Sequence, residues 1–366
     1  MPDPRLLKLA DLLVHYCTAV QPGDWVLVRG HVASLPLVEA TVAAVVDAGG
    51  NPTVHLESDG LAAALLGGSD SQLEWVSPLD EMMAENLDVR IGINAATNTR
   101  ALTGLDPARQ RRQQNARRPL NRKLAERSAA GTHRWVGTLF PCPAYAQEAD
   151  MSLVDYEDFV YAATFADQPD PVAAWLEVRA TQQRWVDWLK GKDQVVVAGP
   201  NVELTLSIAG RTFINSDGKR NMPSGEIFTG PVEESVNGWI RFSYPALRGG
   251  REVDGVEFRF KDGEVVKASA TKNEEYLLSQ IASDPGAARL GEFALGTNYR
   301  IQRFTKSILY DEKIGGTIHL ALGKSYPETG AVNESAIHWD MICDMRSDSE
   351  IRVDGELFYK DGEFQV

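Results

Sequence analysis

In the first half of the chain, short β-rich runs alternate with longer runs patterned for helix. Asp24 to Gly30 is a strand-like run that ends in glycine. Leu35 to Ala48 is rich in Ala, Val and Leu and stops at Gly49-Gly50, which predicts a helix with a glycine terminator. Pro52 to Leu56, Asp88 to Ile93 and Trp135 to Phe140 read as further strands. Ser71 to Glu85 reads as helical with a break at Ser77-Pro78. Asp106-Pro107 opens a long polar helix, with proline in the first turn. Pro171 to Leu189 makes one more helix, carrying Trp175, Trp185 and Trp188. Alternation of this kind predicts an α/β N-terminal domain with a doubly wound sheet.

Near Gly191-Lys192-Asp193 the pattern changes to short strands and tight turns. Val195 to Ala198, Glu203 to Ile208, Gly238 to Tyr244 and Gly255 to Ala270 are β runs, and Asn273 to Ala287 reads as the main helix of this half. A weak echo links Val253-Asp254-Gly255 and Lys261-Asp262-Gly263 with Val353-Asp354-Gly355 and Lys360-Asp361-Gly362. Each Asp-Gly pair between β residues predicts a hairpin turn, because type I′ geometry needs positive φ at both central positions. The predicted division is therefore residues 1–190, the α/β domain, and residues 191–366, a strand-rich α+β domain.

Composition narrows the function classes. Hydrophobic residues make up 43% and charged residues 24% of the chain, as in ordinary globular proteins. The net charge is −14. Residues 1–190 carry 17 bases and 24 acids, and the remainder 20 and 27, so the acidity is spread over both halves. An even negative field argues against nucleic acid and against an anionic membrane surface as partners. The exception is Arg109 to Arg127, with seven arginines and one lysine, which reads as a solvated face or a contact with acidic surface. No run of apolar residues is long enough for a signal peptide or a membrane helix. Three widely spaced cysteines do not form a disulfide framework. A cytoplasmic setting is expected. The glycine fingerprint of a dinucleotide site is missing, and the Gly323-Lys324-Ser325 triplet lacks the earlier glycine of a P-loop, since position 318 is Ile318.

The candidate chemistry lies in the second half. In Thr317 to Gly323 a period of two puts Ile318, Leu320 and Leu322 on one face and His319 on the other, with Thr317 and Ala321. In Ala336 to Asp344 the core face takes Ile337, Trp339, Met341 and Cys343, so His338 and Asp340 project together from the opposite face. Such a pair is half of a metal site or, more simply, a hydrogen-bonded His–Asp pair on a solvated face. Glu292 sits among apolar residues, where carboxylates are rare unless paired or bound to a cation. Glu226 follows a turn that feeds a short β run, and Glu312 heads the His319 strand. A set of His, Asp and Glu without Cys suits zinc, cobalt or manganese, and carboxylates sufficient for a bridge suggest two ions.

Several ordered blocks resemble the thermostable metallo-aminopeptidase family, that of aminopeptidases T and S. They are Asn-Met-Pro-x-x-Glu at Asn221 to Glu226, Gly-Glu-x-Ala-Leu-Gly-Thr-Asn at Gly291 to Asn298, and Asp-Glu-Lys at Asp311 to Lys313. His-x-Ala-Leu-Gly follows at His319 to Gly323, then Tyr326, then Asn-x-Ser-Ala-x-His-x-Asp at Asn333 to Asp340. The resemblance implies metal ligands at Glu226, Glu292, His319, His338 and Asp340, with Glu312 the loosest transfer, and a catalytic tyrosine at Tyr326. It makes residues 191–366 a metal-binding catalytic domain. It implies two divalent ions per chain, bridged by Glu292, and release of N-terminal, hydrophobic residues from peptides through water activated by the two metals. It also implies a homodimer. Two rivals remain: a two-histidine-one-carboxylate iron site of His319, His338 and Asp340 doing oxygenase chemistry, and a catalytically inactive peptide-binding homologue.

Overall fold

A computed structural model describes residues 3–366. The chain forms two compact units. One comprises the residues up to Ala174 together with Gly218–Pro223, and the other comprises Trp175–Asp217 together with Ser224–Val366. The division falls inside the helix Pro171–Leu189 rather than after residue 190. The reason is packing: Trp185 and Leu189 from the later turns of that helix belong to the apolar core of the second unit.

The first unit is built on a five-stranded parallel sheet. Its strands are β1 (Trp25–His31), β2 (Asn51–Glu57), β3 (Val89–Asn94), β4 (Arg134–Leu139) and a two-residue strand from later in the chain, β8 (Asn221–Met222). Their order is β2-β1-β3-β4-β8, the doubly wound arrangement that the alternating pattern predicts. Val26, Val28, Val89 and Ile91 are fully buried. The helix after β1 runs Leu35–Asp47 and ends through Ala48 and Gly49, the latter at φ +81°. Asp106 caps the helix Pro107–Ala129 by accepting from the Ala108 N–H. No side chain of that basic helix is buried, and it answers acidic neighbours: Arg112 pairs with Asp70 and Glu74, and Lys123 with Glu85. No described helix is long and apolar enough to cross a membrane.

The second unit contains two antiparallel sheets and a hairpin. The larger sheet holds β5 (Gln194–Gly199), β6 (Val202–Ser207), β10 (Asn237–Arg241), β13 (Glu257–Lys261), β14 (Glu264–Ser269), β18 (Glu350–Val353), β19 (Glu356–Lys360) and β20 (Glu363–Phe364). The smaller one holds β7 (Ile214–Ser216), β9 (Glu226–Thr229), β15 (Leu290–Gly296), β16 (Thr317–Gly323) and β17 (His338–Asp344), in the order β17-β16-β15-β9-β7. β11 (Ala246–Arg248) and β12 (Arg251–Val253) pair with each other. One contiguous core joins Val197, Leu204, Ile240 and Phe258 of the larger sheet to Phe293, Leu295, Ile318 and Leu320 of the smaller.

Three of the four Asp-Gly pairs make the expected turns. Asp262-Gly263, Asp354-Gly355 and Asp361-Gly362 all have positive φ at both positions and close β13–β14, β18–β19 and β19–β20. Asp254-Gly255 closes no hairpin, since only the glycine has positive φ and β12 does not pair with β13. The Asp254 carbonyl accepts from the Thr271 N–H at 2.8 Å, so this segment bridges to residues 271–272 instead. The helix expected over 273–287 is shorter, Glu274–Ile281. Pro285 disfavours helical geometry in the residue before it, and the Asp284 carboxylate accepts from the Gly286 and Ala336 N–H groups, which fixes a turn there.

Candidate metal centre

The smaller sheet has one face in the core and one that carries the chemistry. Ile227, Phe293, Leu295, Ile318, Leu320, Leu322, Trp339, Met341 and Cys343 all belong to the core. Strand alternation then assigns Glu226 and Phe228, Glu292 and Ala294, His319 and Ala321, and His338 and Asp340 to the other face. Register brings them side by side. Glu226 lies opposite Gly296, Ala294 opposite His319, and Ala321 between Glu292 and Asp340. Glycine and alanine therefore separate the functional side chains and leave room above the sheet. An irregularity between Leu290 and Glu292 shifts the register there.

The six expected ligand residues converge. His319 Nε2 is 3.2 Å from Glu292 Oε1 and 3.3 Å from Glu226 Oε2. His338 Nε2 is 3.4 Å from Glu292 Oε2 and 3.2 Å from Asp340 Oδ1. Three overlapping triplets place possible donor atoms within 4.8 Å of one another: Glu226, Glu292 and His319; Glu292, His338 and Asp340; and Glu312, His319 and Asp340. Glu312, at the head of the His319 strand, is drawn inward beside a fully buried lysine, Lys313.

Electrostatics in the cluster follow from burial and crowding. Burial pushes the Glu226, Glu292 and Glu312 carboxyls above their usual range, and the nearby cations only partly oppose this. Burial pulls on the two imidazoles in the opposite sense, but the carboxylates win. His319 is raised to about 9, with Glu292 its largest charged influence, and His338 to about 10, with Asp340 first. Burial alone would raise Asp340, yet the His338 cation holds it below the normal carboxylate range. His338 Nδ1 lies 2.7 Å from the Lys324 carbonyl oxygen. A carbonyl only accepts, so Nδ1 carries the proton and a neutral His338 turns a lone pair on Nε2 toward the carboxylates.

Tyr326 stands at the rim, three residues beyond β16. Its ring lies 5.1 Å from that of His338 and 5.5 Å from that of Phe228. Although the residue is partly open to solvent, desolvation of its phenol beside the cluster, followed by the charges of Glu292 and Asp340, holds that phenol well above the ordinary value, so it remains a hydrogen-bond donor. Phe228 and Lys313 are additions to the set of expected site residues. Phe228 was legible in principle from its parity with Glu226.

The chain matches the model of the thermophilic metalloprotease family M29 over residues 2–364. The chain belongs to this family. It is therefore a peptidase of the metal-dependent class. It is 30% identical to Aminopeptidase 2 of Geobacillus stearothermophilus, covering 98% of this chain and 95% of that protein. It is 28% identical to Aminopeptidase T of Thermus thermophilus, with coverage of 98% and 95%. Among solved structures, wild-type AmpT from Thermus thermophilus superposes with a TM-score of 0.87 at 25% identity, over 99% of each chain. The α/β and strand-rich regions described above thus follow the AmpT fold.

An M29 chain calls for a divalent metal, and the residues here fit one. Glu226 Oε2 is buried and accepts no hydrogen bond. Metal ligation requires neutral imidazoles and charged carboxylates, and in that state four carboxylates would face one ammonium, an excess of three negative charges for cations to compensate. Isolated buried charge is costly, and divalent cations compensate it with donors of this oxygen-and-imidazole kind.

Proposed function

We propose that this M29 peptidase is an aminopeptidase with two divalent ions, held by Glu226, Glu292, Glu312, His319, His338 and Asp340. One observation carries the reading: the two oxygens of Glu292 address different histidines, Oε1 toward His319 and Oε2 toward His338. A carboxylate shared in this way suits a bridge. Such a pair of ions, zinc, cobalt or manganese, would supply a Lewis acid for the scissile carbonyl and an activated water at neutral pH. The protein's own groups do the rest. Lys324 fixes the His338 tautomer through its carbonyl oxygen. Tyr326, kept protonated, donates to the oxyanion that develops on the peptide carbonyl. Phe228, half-buried beside Tyr326, offers an apolar wall that supports a preference for hydrophobic N-terminal residues. The family resemblance also supports a homodimer. Three buried free thiols agree with a reducing, cytoplasmic setting.

The test is chelation followed by metal replacement. Release of leucine from leucyl amide is expected to stop on chelation, to return with zinc, cobalt or manganese, and to be absent with N-acetylated leucyl amide. Metal-loaded protein that binds peptides without cleaving them would favour the inactive homologue. Oxygen consumption by an iron-loaded form would favour the oxygenase.

A further inference from the structure

Lys313 is among the most buried side chains of the protein, with no exposed surface. It lies on the loop between Asp311 and β16, and that loop is locked in place. The Lys313 N–H donates to the Tyr310 carbonyl, and the Lys313 carbonyl accepts from the Asn298 N–H, both at 3.0 Å. Asn298 also forms a bridge with Ile314. The loop sits directly on Gly296, where a Cβ would strike the Ile314 carbonyl oxygen. Gly296 is the residue opposite Glu226 in the sheet register. The lysine is thus aimed along the floor of the site at a carboxylate one strand away.

Its ammonium meets two carboxylates, each by one oxygen. Nζ is 3.7 Å from Glu226 Oε1 and in close contact with Glu312 Oε1. Glu226 Oε2 points the other way, toward His319 Nε2. Glu312 still reaches the triplet with His319 and Asp340. Burial alone would discharge such a lysine, but Glu226 and Glu312 hold its pKa above the ordinary lysine value.

We infer that Lys313 is a positioning residue for the ion site: it takes one oxygen of Glu226 and one of Glu312, leaving each carboxylate a single oxygen for an ion. The inference rests on the metal-site reading above. It deepens that reading by explaining how a site so rich in carboxylate keeps them from chelating an ion through both oxygens, which would fill the positions a substrate needs. A purely electrostatic role makes the opposite demand. A fixed positive charge near the ions would weaken them, so its removal would tighten binding.

The sign of the change therefore decides. Wild-type protein, Lys313→Met and Lys313→Gln are stripped with chelator and titrated with cobalt(II), followed by calorimetry and by the visible absorption of bound cobalt. Loss of a group that orients metal ligands weakens ion binding by about 10–100-fold. Lys313→Met is expected to show that loss with a changed cobalt spectrum. Lys313→Gln keeps a donor for one carboxylate and is expected to fall between it and wild type, and it serves as the test if the methionine variant does not fold. A folded variant that binds cobalt as tightly as wild type or more tightly, with the wild-type spectrum, overturns the inference and leaves the metal-site reading standing. Wild-type protein that takes up no cobalt overturns both.

Discussion

At the scale of single residues, parity along a strand carries most of the information. His319, His338 and Asp340 lie on the face opposite Leu320 and Met341, as their spacing requires. Glu292 stands out in the sequence because its neighbours are apolar. Lys313 carries no such signal, because its burial comes from a loop docking on Gly296, a contact between segments distant in sequence. Tyr326 and His319 each give a test. Tyr326→Phe removes one hydrogen bond that matters only as the oxyanion forms, so kcat is expected to fall ~100–1000-fold, about 2.7–4 kcal/mol by analogy with other oxyanion donors. Metal content by elemental analysis is expected to stay unchanged, and an unchanged kcat would remove this role. The second expectation concerns pH. In metal-free protein His319 is raised to about 9, above its unfolded value of ~6.5. The stability that this contributes is fully present below pH ~6.5 and is lost as pH rises through about 9. The melting temperature of the chelated protein is expected to decline across that window. A flat profile would contradict the charged imidazole.

Among the elements, β16 and β17 were readable because one face is strictly apolar, whereas lengths and turns were less so. The helix expected over 273–287 ends at Ile281 because Asp284 and Pro285 form a turn. Asp254-Gly255 carries the same dipeptide as three true hairpin turns, but its carbonyl is taken by Thr271. Local sequence alone does not report such a partner. The contact between β15 and the loop before β16 gives a direct test of how the site is assembled. Gly296→Ala places a methyl group against the Ile314 carbonyl. Overpacking of this kind costs about 1–3 kcal/mol. Chemical denaturation is expected to show that loss, accompanied by weaker metal binding, since the loop carries Glu312 and Lys313. Wild-type stability and affinity in this variant would mean that the close approach is unimportant.

On the level of the whole molecule, the alternation of strands and helices was enough to identify the doubly wound sheet, because that fold repeats one pattern. The break between units was harder to read. The helix Pro171–Leu189 is a single unbroken helix, and only packing reveals that Trp185 and Leu189 serve the second core. All six candidate ligands come from that second unit, so the even spread of negative charge along the chain conceals a local concentration. The two-metal mechanism depends on Glu292 being shared between two ions. The most direct measurement is the number of divalent ions bound per chain, by elemental analysis of metal-saturated protein, in wild type and in Glu292→Gln. Two ions in the wild type and at most one in the variant is the expected result. A single ion in the wild type, or two retained by the variant, would contradict it.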